Sequence, residues 1–488
     1  MTATTAPTDQ HWTRRLFEPV DIGMLVFFRM AFGAVMVWEA TRYLNFGWYT
    51  TQFQESDFYF KYFGFSWVHA WPGEGMRIHF IVWGILAAMI GLGLCYRIAT
   101  ILFFFVFTYV FLLDQSTYLN HFYLISLISF LMIFLPMHRA GSLDVLLRPK
   151  LRTTQVPAWT LWLLRFQIAV PYFFGGVAKL NGDWLRGEPI RYWLADYFGK
   201  PVSEPTVYGF AWGGMLFDLL IVPALLWKQT RIPAFVAAVA FHLTNNTIFH
   251  IGIFPWLMMA ASIVFLPSEW LAISEPTEDS KRAKKTKISN WTIPSPRRQR
   301  WILGLLGVWV GVQCLVPLRH WLYPGNVSWT EEGHRFAWHM KLRDKSADSL
   351  VLKVPTESGL MLQWELVPIW DAELQRHDFQ LRLSATNVIG EPIKDPPPVD
   401  LNLSSHQLRS AATKPDMLLQ LAEYIANQVR LAGEEPMGVF ADSQVSLNGR
   451  IPQPLIDPNQ NLLRTPRNLW HADWIRPLSV PLPTPKRR

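Results

Sequence analysis

Long apolar runs alternate with short polar connections over the first two thirds of the chain, and the pattern changes abruptly after residue 320. The runs fall at about 22 to 41, 78 to 95, 98 to 113, 121 to 137, 158 to 180, 207 to 227, 232 to 249, 251 to 272 and 301 to 319. Each reaches or approaches the roughly 20 residues that cross a hydrocarbon core as a helix, which predicts about nine spans, several of them short. Beyond residue 320 apolar and polar positions alternate, as at 350 to 354 and 360 to 366, with prolines throughout and a turn signal at Asn448-Gly449; this predicts strands. One helix interrupts them, with Asp416 as N-cap, Leu418, Ala422, Ile425 and Val429 as an apolar stripe, and Gly433 as a stop. The expected fold is a polytopic α-helical membrane domain of about nine transmembrane helices followed by a mainly β, α+β soluble carboxyl-terminal domain. The expected boundaries are a tail to 19, a helical core over 20–273, a basic linker over 274–300, a last span over 301–320 and a soluble domain over 321–488.

Composition agrees with a bilayer-embedded chain: of 488 residues, 50% are hydrophobic, 15% aromatic and only 17% charged. The net charge of +8 is spread between the hydrophobic runs instead of forming one tract, which points to topology and away from nucleic acid. Arg14 and Arg15, the 139–152 stretch, Lys228 with Arg231, and the 281–300 block occupy every second connection. Under the positive-inside rule these face the cytoplasm, and an odd number of spans leaves the soluble domain on the other side, periplasmic in a bacterial inner membrane. The two cysteines, Cys95 and Cys314, lie in or beside apolar runs and exclude a disulfide-stapled scaffold. The first 19 residues carry no apolar core or cleavage signal, so the first span is expected to direct insertion.

Ionisable groups inside spans cost several kcal/mol and therefore mark function or structural pairing. His121 begins the fourth run, Lys179 ends the fifth, His242, Asn245 and Asn246 lie late in the seventh, and His320 ends the ninth. In the expected topology all four sites fall near the outer leaflet. Each taken alone could snorkel to headgroups; their convergence favours a site. Lys179 follows Gly175-Gly176, which allow close helix approach or a ligand, and a desolvated amine can serve as a general base. His121, after Asn120, and His242 could orient a proton acceptor or hold an oxyanion. Arg29 and Glu39 read as a structural pair, and Trp48, Trp67, Trp71, Trp184, Trp193 and Trp270 as interfacial aromatics from which a quinone site could draw. No nucleotide-binding glycine loop, Cys-x-x-Cys pair, nucleophile elbow or His-Glu-x-x-His helix is present. His242, His250 and His121 lack the short spacing of histidine metal boxes, so no metal is expected.

The motifs Gly91-Leu-Gly-Leu-Cys-Tyr-Arg97, Tyr109-Val-Phe-Leu-Leu-Asp114, Asn120-His121-x-Tyr123-Leu124 and Gly176-Val-x-Lys179-Leu-x-x-Asp183-Trp184 follow one another along the chain. Phe241-His242 with Asn245, Ile251-Gly252-x-Phe254 and Pro267-Ser-Glu-Trp270 continue the series. In the tail come His320 with Trp329-Thr330, Trp338-x-Met340, Asp416-Met417-Leu418, and Val445-Ser446 through Ile456-Asp457-Pro458. In order and spacing these resemble the vitamin K-dependent gamma-glutamyl carboxylases over nearly the whole chain. The resemblance implies a carboxy-lyase-class enzyme in which vitamin K hydroquinone is oxygenated to the epoxide, the base so formed removes a γ-proton from a peptide glutamate, and CO2 adds. It implies O2 and CO2 as co-substrates, no metal, a glutamate-containing peptide or protein substrate, membrane lipid as surroundings, and no nucleic acid. It implies Lys179 as catalytic base, Asn120 and His121 as its assistants, and His242, His320, Trp329 and Trp338 as substrate- or cofactor-binding positions. The chain departs from vertebrate members at Ala178, where they carry a second lysine, at Tyr118, where they carry tryptophan, and in a shorter tail; its brevity, Met-rich apolar spans and lack of a signal peptide look more bacterial than animal. The competing readings are a quinone oxygenase without carboxylation, a non-catalytic quinone- or lipid-binding module, and a transporter. Polar groups gathered at one leaflet argue against the last.

Overall fold

The computed structural model describes residues 10–249, 251–273, 292–371, 376–387, 389–399 and 401–483. His250 and the basic linker from 274 to 291 lie outside the described residues. The apolar runs form α1 (Gly23–Asn45), α2 (Gly75–Leu92), α3 (Tyr96–Leu113), α4 (Asn120–Phe134) and α5 (Ala158–Ala178). A short helix, α6 (Ile190–Phe198), precedes α7 (Glu204–Leu226), α8 (Arg231–Phe249), α9 (Phe254–Ser262) and α10 (Pro296–Leu318). Seven of these are long and apolar enough to cross a membrane, and the remaining two apolar runs, α4 and α9, make shorter helices.

Close helix packing is built on glycine where backbones must nearly touch. A methyl at Gly33 of α1 would lie 2.5 Å from the Gly91 Cα of α2, so no larger residue fits that crossing. Beside it Arg29, fully buried, donates to the carbonyls of Ile90 (3.0 Å), Gly91 (2.9 Å) and Gly141 (2.5 Å). The expected Arg29–Glu39 pair is thus not formed, since Glu39 binds Arg42 at 2.7 Å one turn away. Arg29 instead ties the α2–α3 turn and the 141 loop to α1, because free carbonyls there have no water to bond. Arg29→Leu is expected to lower stability by about 2–4 kcal/mol, seen as a lower unfolding midpoint in detergent.

The tail holds a five-stranded antiparallel sheet ordered β5-β4-β3-β6-β7, from β3 (Lys345–Pro355), β4 (Met361–Asp371), β5 (Arg376–Thr386), β6 (Phe440–Leu447) and β7 (Gln453–Pro454). Asn448 and Gly449, both at positive φ, make the turn after β6. One sheet face packs on α11 (Ser405–Thr413) and α12 (Pro415–Leu431), burying Leu350, Leu352, Val354, Leu418, Ala422, Ile425 and Val429 together. The expected single helix is therefore two, and its N-cap is Lys414, with Pro415 first inside, instead of Asp416.

The tail domain seats on one end of the bundle. Phe60, from the α1–α2 connection, is buried in the tail's own core. Gln407 donates to the Phe58 carbonyl at 2.7 Å and to Asp114 at 3.2 Å, and Gln420 accepts from the Lys61 amide at 2.7 Å. Arg450 and Asn448 clamp Asp183, just past α5, with bonds of 2.7 to 2.8 Å. Every bundle segment in these contacts follows α1, α3 or α5. The opposite end is closed by strand pairing of β1 (Pro19–Asp21) with β2 (Gln155–Pro157) and by Asp21 accepting from the Ile273 amide. Burial alone would raise the Asp183 carboxyl, but hydrogen bonds from Arg450 and Asn448 outweigh it and hold the group below its ordinary 3.8. A depressed carboxyl contributes stability above its unfolded value and loses it as pH falls through the folded one. The clamp should therefore open below about pH 4, detected as faster protease cleavage between tail and bundle while the Arg450→Ala variant shows no such acid step.

Candidate functional site

Gly176 packs against α7 so closely that a methyl there would lie 2.7 Å from Leu219, and one at Gly175 would lie 3.4 Å from Asp218 and 3.3 Å from Met340. The glycine pair thus admits a neighbouring helix and the tail, and what that approach delivers is Asp218. Lys179, at the carboxyl end of α5, donates to Asp218 at 2.5 Å and to the Gly175 carbonyl at 3.3 Å. Both side chains are buried, 7% and 5% exposed. The lone amine expected from the sequence is therefore half of an ion pair, and its partner was missed. The signal was present: Asp218 is an acid inside an otherwise apolar run, which is costly unless paired.

This pair sits in the wall of a cavity of about 480 Å³ between α5, α7, α8 and α9, within the size range of small-molecule sites. Most of its lining is apolar, with Phe210, Phe241, Phe249, Phe254 and Met258 prominent. A second polar group in the lining is His242, whose Nε2 lies 2.6 Å from the Tyr172 hydroxyl. The Tyr172 hydroxyl also lies 3.5 Å from Ser262. His242 Nδ1 is buried without a hydrogen-bond partner, which such a group rarely tolerates unless a ligand or water supplies one. Asn245 lines the same space.

The tail roofs the cavity with Met340 and Lys341. Lys341, at positive φ, places its ammonium over Trp193 and Phe249, 5.9 and 5.4 Å from the ring centroids. Trp184 and Trp193, read from sequence as interfacial, line the cavity, and Trp184 is anchored by a 2.7 Å bond to the Ala211 carbonyl. Trp67, Trp71 and Trp270 remain exposed.

The remaining candidates divide. Asn120 accepts from the Tyr118 hydroxyl (3.0 Å) and donates to the His339 carbonyl (3.3 Å), holding the roof segment from outside the cavity. Tyr118 also accepts from the Phe336 amide at 2.8 Å. His121 stacks on Phe254, centroids 5.7 Å apart, one side chain behind the lining. Trp338 is buried against Tyr123, while His320 contacts His339 and bonds the Pro317 carbonyl. Trp329 is elsewhere, in the tail core, donating to the Arg476 carbonyl. Among the described residues no group of three or more His, Cys, Asp or Glu lies at metal-holding distance.

A helical membrane bundle with a buried amine in an apolar cavity, roofed by an extramembrane α+β domain, defines the class. Residues 17–270 match the HTTM domain, and residues 298–363 and 397–480 match the vitamin K-dependent gamma-carboxylase lumenal domain. The chain belongs to the vitamin K-dependent gamma-glutamyl carboxylase family. No solved structure matches it. The first matched region takes in the bundle up to α9 and the second the last helix with the sheet domain apart from residues 364–396, which hold β5; together these domains indicate an enzyme of the carboxylase class.

Proposed function

We propose that the protein carboxylates peptide glutamate at the membrane surface, driven by oxidation of vitamin K hydroquinone, with the cavity under the tail domain as the reaction chamber. The observation that carries this reading is the buried Lys179–Asp218 pair in the wall of an apolar, membrane-embedded cavity that also holds an unpartnered His242 nitrogen. A ring with two oxygens and no charge fits such a lining, since Lys179 and His242 are two polar positions set among aromatic side chains. When bound, reduced vitamin K would supply, through its oxidation by O2, the strong base that allows CO2 to add to the glutamate γ-carbon.

The protein's own groups do the rest. Within the pair the Lys179 ammonium passes its proton to the Asp218 carboxylate, and the neutral amine so formed, still held at Nζ by Asp218, accepts a proton from the bound substrate. Tyr172 and Ser262 orient His242, which offers its free Nδ1 to a bound oxygen. Asn120 acts by holding the His339 carbonyl, and His121 by backing Phe254; both are positioning residues. Lys341, in the roof, supplies a cation toward which the glutamate carboxylate can approach from the tail side. The basic groups Arg139, Arg148 and Arg231 lie at the end of the bundle remote from the tail, which supports a cytoplasmic amino terminus and a periplasmic tail in a bacterial inner membrane.

Purified protein in nanodiscs, given reduced vitamin K, O2, labelled bicarbonate and a glutamate peptide, should form epoxide and fixed label together. Epoxide without label would leave a quinone oxygenase. Neither product from folded protein would sink the enzymatic reading and leave a quinone- or lipid-binding module.

A further inference from the structure

The cavity is not closed on all sides. Its roof is tail and α6, but several residues that line it are on the outside of the bundle. Gly209, Phe210 and Gly213 on α7 and Thr244 on α8 belong to the lining and are exposed, Phe210 by 39%. Both helices are peripheral, with 28% and 17% of their apolar windows buried within the protein. What they face is therefore hydrocarbon, not water. The opening lies in the half of the membrane nearer the tail, because α7 begins and α8 ends at that side.

We propose that this gap between α7 and α8 is a lateral portal, through which the cavity takes its substrate directly from the bilayer. The occupant is a quinol carrying a long hydrocarbon chain, with its ring inside near Lys179 and His242 and its chain lying in the gap. This rests on the quinol reading above and adds the route and the tail. A water-soluble substrate would need an opening through the roof, where Met340, Lys341 and Trp193 stand. Among the described residues the lining in the gap offers no charged side chain, only glycine, aromatic and small polar groups, as suits a hydrocarbon chain crossing between two helices. Glycine keeps the passage open: a methyl at Gly209 or at Gly213 would meet nothing within 4 Å.

That open space suits the test, because a side chain can branch from either position with its Cβ meeting no neighbour. Gly209→Leu and Gly213→Leu would be compared with wild type in nanodiscs, using 2-methyl-1,4-naphthoquinol with and without a tetraprenyl chain. The ratio of kcat/KM for the chained quinol to that for the chainless one should fall at least about ten-fold. Leu220→Phe, on an exposed part of α7 outside the lining, should keep the wild-type ratio. An unchanged ratio in both glycine variants, or an equal fall for both quinols, would overturn the portal. If wild type oxidises neither quinol, the oxidation reading fails separately, and the portal is then read by binding. Quenching of tryptophan fluorescence by the oxidised naphthoquinones, from Trp184 and Trp193 beside the cavity, should then show the same selective loss for the chained form. Equal quenching by both forms in the glycine variants would overturn it.

Discussion

Lys179→Met is expected to abolish quinol oxidation and carboxylation together, by at least about a thousand-fold, because among the described residues no second amine–carboxylate pair lines the cavity. The same substitution strands the Asp218 carboxylate, and removing one partner of a buried ion pair costs about 3–5 kcal/mol. Lost activity in the single variant would therefore be ambiguous between chemistry and folding. Lys179→Met with Asp218→Leu separates them: replacing both charges with apolar groups should recover most of the thermal stability, while activity stays absent. Activity returning with stability would mean that Lys179 only holds the fold. Asp218→Asn alone, which keeps the shape and removes the charge, should lower kcat more than it raises KM, since it disturbs the proton acceptor and leaves the apolar lining in place.

Trp338→Ala is the second large effect. Trp338 is 1% exposed and belongs to the bundle's hydrophobic cluster although it is part of the tail sequence. Emptying a buried tryptophan site costs about 3–5 kcal/mol, and here the void would open beside Gly175, where a methyl would lie 3.9 Å from the Trp338 carbonyl. The expected result is a lower Tm and a raised KM for quinol, as Met340 and Lys341 lose their backing. Trp338→Phe should restore most of both. A Trp338→Ala variant with wild-type stability and a selective loss of peptide affinity would instead place the ring in contact with substrate.

The spans were legible because membrane crossing demands length and apolarity in one continuous stretch, and both are properties of the local sequence. The strands β3 and β4 were legible through their alternation. The strand β5 carries the same alternation, with Phe379, Leu381, Leu383 and Ala385 set between Asp378, Gln380, Arg382 and Ser384, and the general reading of the tail as strand covers it without picking it out. The helix α11 is nine residues long, yet Ser404 and Gln407 form a capping box that the sequence spells out. The bundle side of the site was partly readable, since Lys179 and His242 violate the apolar rule of their spans. What escaped was pairing across distance. Asp218 is 39 positions from Lys179, and Arg450 is 267 from Asp183, and no periodicity reports which helix end meets which loop. Nor could spacing tell that Trp329 serves the tail's core while Trp338, nine residues on, is buried in the bundle.

The seating of the tail sets an order of events during synthesis. The helices can enter the membrane one after another as they emerge, but the roof residues follow the last of them, and Arg450, which fastens the roof to Asp183, comes more than a hundred residues later. Until that stretch has folded onto the bundle, Lys179 and Asp218 stand uncovered at its open end. The chamber is therefore assembled last. A chain that stops short of Arg450 would carry both groups of the buried pair and still lack the cover that keeps water from them.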